Sequence, residues 1–203
     1  ESVTGQGVVG QVDGREVVVG NESLMEINRI DTELFLERAE THRRQGSTVI
    51  WVGIDSVLEG LIAIADPVKD ATPAAIESLR KMGIRIVMVT GDNYTTADTV
   101  AKQLGIDEIH AEMLPEQKHD LVKSLQSEKH IVAVAGDGIN DAPALAQADV
   151  GIAMGAGADI AMESARVTLV KGDLGGIAKA RTLSMRTMRN IRQNLFFAFI
   201  YNG

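Results

Sequence analysis

The 203-residue sequence contains no cysteine, and aromatic residues make up only 3% of it. The absence of cysteine excludes disulfides and thiolate metal sites. Because aromatic side chains are so few, the core must be built mainly from valine, isoleucine, leucine, alanine and methionine. Positive charge is also in deficit: the formal net charge of −8 disfavours nucleic acid as the main partner. The four histidines lack the spacing of metal ligands, and we interpret them as surface residues.

The two ends of the sequence look like cuts. The chain begins at Glu1 inside a predicted strand, shows no signal peptide, and ends at Gly203 just after an apolar run at residues 195–201. That run is shorter than the roughly 20 residues that a membrane span needs. Arginines at 181–192 precede this run. By the positive-inside rule they fit the first turns of a membrane span, but the same pattern fits an ordinary amphipathic helix. We expect an internal piece of a longer protein.

The first part of the chain reads as antiparallel α+β structure up to about residue 59. Asp13-Gly14 between two valine-rich runs predicts a hairpin. The remaining elements that we predict here are a helix at 31–45 and strands at 48–54 and 58–64.

From about residue 60 the pattern changes to strands alternating with helices. We expect a strand at 61–65 to begin this part, and Thr72 to cap the helix that follows it. The other predicted elements are strands at 84–89, 131–135 and 150–153, helices at 95–104, 115 onward and 141–147, and one long helix after Leu174. Such alternation favours α/β architecture with a parallel, Rossmann-like sheet at about 60–175.

The most informative stretch is the glycine-rich run at residues 136–145, which follows the predicted buried strand at 131–135. Open α/β sheets place their ligands at the C-terminal ends of strands. Asp137 and Asp141 supply hard oxygen ligands there, which suit Mg²⁺ together with phosphate oxygens. The run therefore predicts a magnesium site for phosphoryl chemistry.

Two further loops carry groups that suit phosphate. Thr90, Gly91 and Asp92 end a predicted strand, and the threonine hydroxyl and the backbone N–H groups suit phosphate oxygens. Lys118 lies near a predicted helix start, where its charge neutralises a phosphate and a nucleophilic carboxylate. In this order on an α/β sheet, hydroxyl, lysine and paired aspartates form a phosphoryl-transfer set that lacks its nucleophile.

These motifs resemble the C-terminal part of the ATP-binding head of a P-type ATPase, in the haloacid dehalogenase-like superfamily. The resemblance covers most of residues 60–155. It implies that Asp137 and Asp141 surround Mg²⁺, that Thr90 and Lys118 hold the transferred phosphoryl group, and that Asn140 helps to close the phosphorylated site. ATP and Mg²⁺ are then the expected ligands, and the parent protein is expected in a membrane with this portion cytoplasmic.

The subgroup that the chain resembles is the heavy-metal transporters. Residues 1–59 look like the end of their nucleotide-binding domain, and Gly5 and Gly7 match a turn that lies against the adenine nucleotide. Residues 176–203 are then a connecting helix and the start of a transmembrane helix. Tyr201 and Asn202 match part of the metal path in copper-type members, which implies Cu⁺ rather than the Zn²⁺ or Cd²⁺ of related pumps.

The family's phosphorylated aspartate, its adenine-gripping residues and its membrane metal motif are absent from this sequence. We therefore expect the chain alone to be inactive. Asp66 leaves a second interpretation open, because a soluble phosphatase of the superfamily keeps its nucleophile at such a strand end. Pro67 follows it and removes a backbone donor that phosphate needs, so we interpret 66–69 as a structural loop. A non-catalytic module that only binds Mg²⁺ or phosphate is a third interpretation.

Overall fold

The computed structural model describes residues 1–65, 67–136, 139–155 and 163–202. The chain divides into two compact units. The first consists of Glu1–Val68 and Ile86–His130, and the second of Lys69–Arg85 and Ile131–Gly203. The domain boundaries that we expect from the sequence remain a prediction.

The first unit contains a five-stranded antiparallel sheet with the strand order β1-β2-β3-β4-β5. Its strands are β1 (Ser2–Val3), β2 (Gly7–Val12), β3 (Arg15–Gly20), β4 (Thr48–Ile54) and β5 (Val57–Ile64). Asp13 and Gly14 both have positive φ, of 52° and 78°, as a tight hairpin turn between right-twisted strands requires. The predicted hairpin is confirmed.

Two helices and a small core accompany this sheet. The helices are α1 (Glu22–Ile27) and α2 (Leu36–Arg43), with a 3-10 turn at Glu33–Phe35 before α2. The predicted helix at 31–45 is too long, because the Asp31 carboxylate accepts a bond from the Glu33 N–H and favours a turn there. The buried core residues that pack together are Val18, Leu24, Met25, Ile30, Ala39, Val49 and Trp51.

The rest of the first unit holds a parallel pair of strands with their helices. These elements are β6 (Val87–Val89), α4 (Tyr94–Leu104), β7 (Glu108–His110) and α5 (Pro115–Ser127), where β6 pairs with β7. The Asn93 side chain accepts a bond from the Thr95 N–H at the start of α4, and Gly105 ends the helix in the left-handed region. Both helix boundaries follow the sequence signals.

The second unit contains a three-stranded parallel sheet with the order β10-β9-β8. Its elements are α3 (Thr72–Lys81), β8 (Ala133–Gly136), α6 (Ala142–Gln147), β9 (Val150–Met154), β10 (Val167–Leu169) and α7 (Gly175–Asn202). Leu145 of α6 and Ala153 of β9 are both buried and pack together in a hydrophobic cluster between the helix and the sheet. α3 packs against α7 within this unit.

The architecture is α/β with parallel strands, as the sequence predicts, but several details differ. The strand that we predict as buried at 131–135 begins at Ala133 and is only partly buried, and Ile131 before it is 88% exposed. Among the described residues the parallel strands form two sheets, a pair and a triplet. Residues 61–64 belong to β5 and run antiparallel to β4, because the pairing continues to Thr48 opposite Ile64. Thr72 is the first residue of α3 rather than its cap, which is Ala71.

Candidate active site

The loop after β6 is held by its own side chains. The Thr90 hydroxyl donates to Oδ2 of Asp92 over 2.9 Å, and the Asp92 N–H donates back to Oγ1 of Thr90 over 3.1 Å. The Thr90 N–H donates to the carbonyl of His110 in β7 over 2.9 Å. The three residues Thr90, Gly91 and Asp92 therefore form a defined turn at the C-terminal edge of the β6–β7 pair.

The segment after β7 fixes this loop from the other side. The Met113 N–H donates to the Thr90 carbonyl over 3.0 Å, and the Glu112 N–H donates to the Asp92 carbonyl over 2.9 Å. The Asn93 amide also donates to the Glu112 carboxylate over 3.0 Å. These bonds hold the Thr-Gly-Asp turn beside the chain that leads into α5.

Lys118 lies in the first turn of α5, which begins at Pro115. The Gln117 side chain accepts a bond from the Leu114 N–H over 2.8 Å, and the Lys118 N–H donates to the Leu114 carbonyl over 3.1 Å. The lysine is half-buried. A helix start and a lysine in its first turn both favour a negatively charged ligand.

The turn at Gly5 to Gly7 requires glycine for steric reasons. Gly7 has a φ of 147°, and a β-carbon there would collide with the Val19 carbonyl. The Asn21 N–H donates to the Gln6 carbonyl over 2.8 Å and secures the turn. A β-carbon on Gly5, which has a φ of 72°, would lie 3.1 Å from the Leu114 side chain. The glycine turn therefore lies beside the residue that precedes α5.

In the second unit, Asp141 lies at the strand end where we expect the magnesium site. Its side chain lies close to Gly136, the last residue of β8, where a β-carbon would lie 2.7 Å from Oδ2 of Asp141. Asn140 is exposed in the 3-10 turn Ile139–Asp141. Asp137 lies outside the described residues. A carboxylate supplies the hard oxygen that suits Mg²⁺.

The C-terminal candidates lie at the end of α7. Tyr201 is 86% exposed there, and Asn202 is the last residue of the helix. Across the described residues, no helix is both long enough and apolar enough to cross a membrane. In that same part of the chain, no group of three or more histidine and acidic side chains is placed to hold a metal ion.

The candidate residues fall into two groups. Those of the first unit lie near residues 113–114, and the remaining ones belong to the second unit. Gly5 lies near the Leu114 side chain, the Lys118 N–H bonds to the Leu114 carbonyl, and Thr90 bonds to the adjacent Met113. Asn140 and Asp141 belong to the second unit. Asp66, the alternative nucleophile, lies outside the described residues. Thr48 is the residue that the sequence reasoning missed: its hydroxyl donates to Oδ1 of Asp92 over 2.9 Å.

The chain belongs to the haloacid dehalogenase-like hydrolase family, whose model matches residues 4–149. Within that family it is similar over its whole length to metal-transporting P-type ATPases. It is 58% identical over 98% of its length to a silver-exporting P-type ATPase of Salmonella typhimurium. It is 56% identical over 100% of its length to a copper-transporting P-type ATPase of Rhizobium leguminosarum bv. viciae. The chain spans 24% of each of these two relatives.

Solved structures agree with this grouping. A zinc-transporting PIB-type ATPase in its E2.Pi state matches 96% of this chain and 31% of its own, with a TM-score of 0.66 and 34% identity. The catalytic domain of the CPx-ATPase CopB-B matches 89% of this chain and 63% of its own, with a TM-score of 0.67 and 26% identity. The fold class and the P-type ATPase resemblance that the motifs predict are confirmed.

Proposed function

We propose that this chain is part of the catalytic head of a P-type ATPase that uses ATP to transport Cu⁺ across a membrane. The observation that carries the proposal is the similarity at 56–58% identity to a silver and a copper transporter. The zinc-transporting structure is only 34% identical, which favours a monovalent soft ion over Zn²⁺ as the cargo. The phosphorylated aspartate of this mechanism would come from a part of the protein outside this sequence.

The phosphorylation step forms a bond between an aspartate oxygen and the γ-phosphorus of ATP and breaks the bond to the bridging oxygen, so that ADP leaves. The Thr90 hydroxyl and the Gly91 N–H hold phosphoryl oxygens. The ammonium group of Lys118 stabilises the negative charge on the same group. The turn at Gly5 and Gly7 lies along the nucleotide.

Asp137 and Asp141 would hold Mg²⁺, with Asp137 the more direct ligand. Mg²⁺ neutralises negative charge on phosphoryl oxygens when it is bound. The Asp141 side chain lies close to Gly136, near the place that a β-carbon at that residue would occupy. Asn140, exposed on the 3-10 turn beside it, would help to close the phosphorylated site.

The test is labelling with radioactive ATP and, in parallel, acetyl phosphate, each with Mg²⁺. The complete protein should form an acid-stable, hydroxylamine-sensitive phosphoenzyme from ATP, and Cu⁺ should stimulate it. The 203-residue chain alone should form none and should release no phosphate. Label or turnover in the chain alone that Asp66→Asn abolishes would replace this proposal by a soluble phosphatase. A complete protein without any phosphoenzyme would indicate a module that only binds.

A further inference from the structure

We propose that Thr48 is a positioning residue for the Thr-Gly-Asp loop, acting through the carboxylate of Asp92. The inference rests on the proposed function. Thr48 is the first residue of β4, paired with Ile64 at the end of β5, and it is 44 residues away from Asp92 in the sequence. A side chain of the antiparallel sheet therefore reaches directly into the candidate phosphate-binding loop.

The Asp92 carboxylate is shared between two threonine hydroxyls. Oδ1 accepts from Thr48 over 2.9 Å, and Oδ2 accepts from Thr90 over 2.9 Å. Both contacts are partly buried, so a donor that is lost there is not fully replaced by water. The carboxylate has one hydroxyl donor on each oxygen.

This arrangement limits what the Thr90 hydroxyl can do. Its single proton is given to Asp92, while its oxygen accepts the Asp92 N–H over 3.1 Å. A hydroxyl has only one proton to donate. To donate to a phosphoryl oxygen, Thr90 must turn that proton away from Asp92. The Asp92 carboxylate then still accepts the hydrogen bond from the Thr48 hydroxyl, so it is not left without a hydroxyl donor. Thr48 therefore lowers the cost of the state in which Thr90 binds phosphate.

Two neighbouring contacts join the same parts of the first unit without touching Asp92. The Thr96 hydroxyl donates to the Ser47 carbonyl over 2.9 Å in a buried position, and the Thr95 hydroxyl donates to the Glu40 carboxylate over 3.2 Å. Thr96 is a matched comparison for Thr48, because its bond has the same length. Comparing variants of Thr96 and Thr48 therefore distinguishes the loss of a contact within the first unit from the loss of the bond that positions Asp92.

The experiment uses the complete protein with Thr48→Val, Thr48→Ser and Thr96→Val, and measures phosphoenzyme formation from MgATP. Valine keeps the shape of threonine and removes the hydroxyl, so Thr48→Val should slow phosphorylation at saturating ATP by about tenfold, the size expected for one hydrogen bond to a charged group. The ATP concentration for half-maximal rate should stay unchanged. Thr48→Ser should restore the rate, and Thr96→Val should phosphorylate at the wild-type rate.

Three results would overturn the inference. They are a wild-type rate in Thr48→Val, a loss in Thr48→Val that Thr48→Ser does not restore, and an equal loss in Thr96→Val. The first of these leaves the proposed function standing, because the phosphoenzyme still forms. Absence of the phosphoenzyme in the unmodified complete protein would instead remove the proposed function and this inference together.

Discussion

The side chain of Asp141 lies close to Gly136, at the C-terminal end of β8. A β-carbon at Gly136 would lie 2.7 Å from both Cβ and Oδ2 of Asp141. The glycine that opens the run at 136–145 thus makes room for the aspartate five positions later. The close approach explains in steric terms why β8 ends in glycine.

Gly136→Ala should therefore displace the Asp141 carboxylate. We expect the free energy of unfolding to fall by about 1–3 kcal/mol, the usual cost of forcing extra volume into a close contact. We also expect the stabilisation that MgCl₂ gives the chain to shrink. Urea unfolding of the 203-residue chain with and without MgCl₂ measures both effects. Gly10→Ala is the control, because a β-carbon there meets nothing within 4 Å. Equal stability of the two variants would contradict the steric argument.

Asp137→Asn should abolish most phosphorylation of the complete protein from MgATP while leaving the fold intact. The amide keeps the size of the side chain but removes the negative charge that a hard divalent ion needs. Acid-stable labelling measures the loss, and circular dichroism monitors the fold. Asp120→Asn is the control, since its side chain is 76% exposed on α5. Unchanged labelling in Asp137→Asn would show that the magnesium assignment is wrong.

Arg43 and Glu40 make a pH-dependent contribution to stability. The buried Arg43 guanidinium donates to the Glu40 carboxylate over 2.7 Å and lies 5.8 Å from the centre of the Trp51 ring. The hydrogen bond from Arg43 lowers the pKa of Glu40, with a smaller contribution from the Thr95 hydroxyl and opposed by burial. Because the folded pKa of Glu40 lies below that of the unfolded chain, this stabilisation is fully present above the unfolded pKa and is lost as the pH falls through the folded pKa.

Arg43→Met should accordingly flatten the fall in unfolding free energy between about pH 5 and pH 3. It should also destabilise the chain at neutral pH, because the carboxylates of Glu22 and Glu40 lose their shared cation. Urea unfolding at several pH values measures both effects. Arg44→Met is the control, because its charge is the weakest of the causes that lower the pKa of Glu40. An unaltered pH profile in Arg43→Met would contradict the ion-pair account.

Variants at the C-terminal end of α7 test which metal ion the complete protein transports. In the complete protein, Tyr201→Phe and Asn202→Ala should reduce the stimulation of phosphorylation by Cu⁺, because each removes an oxygen donor from the proposed metal path. Asn194→Ala, two helical turns earlier, serves as the comparison. Stimulation by Zn²⁺ rather than Cu⁺ in the unmodified protein would overturn the copper assignment.

Local signals explain most of the fold that the sequence predicts. Asp13-Gly14, Gly105 and Pro115 each act through their own backbone preferences, so the turn and the helix boundaries follow from neighbouring residues alone. The pairing of strands depends on distant residues instead. That is why the sequence pattern predicts residues 61–64 in the parallel part although they pair with β4.

The candidate site shows the same division. The motifs at Thr90, Lys118 and Asp141 are visible in the sequence because residue type and spacing carry their chemistry. Thr48 carries no such signal: a threonine at the start of a predicted strand is ordinary strand composition. Only the tertiary structure brings its hydroxyl to Asp92, 44 residues along the chain.

The end of α7 has a consequence for the solubility of the chain. Phe196, Phe199 and Tyr201 are 62%, 77% and 86% exposed, so several aromatic rings face water within two turns of one helix. Water disfavours such a surface, and copies of the chain lower its cost by packing these ends together. The isolated 203 residues should therefore self-associate as their concentration rises, and mild detergent should return them to monomers.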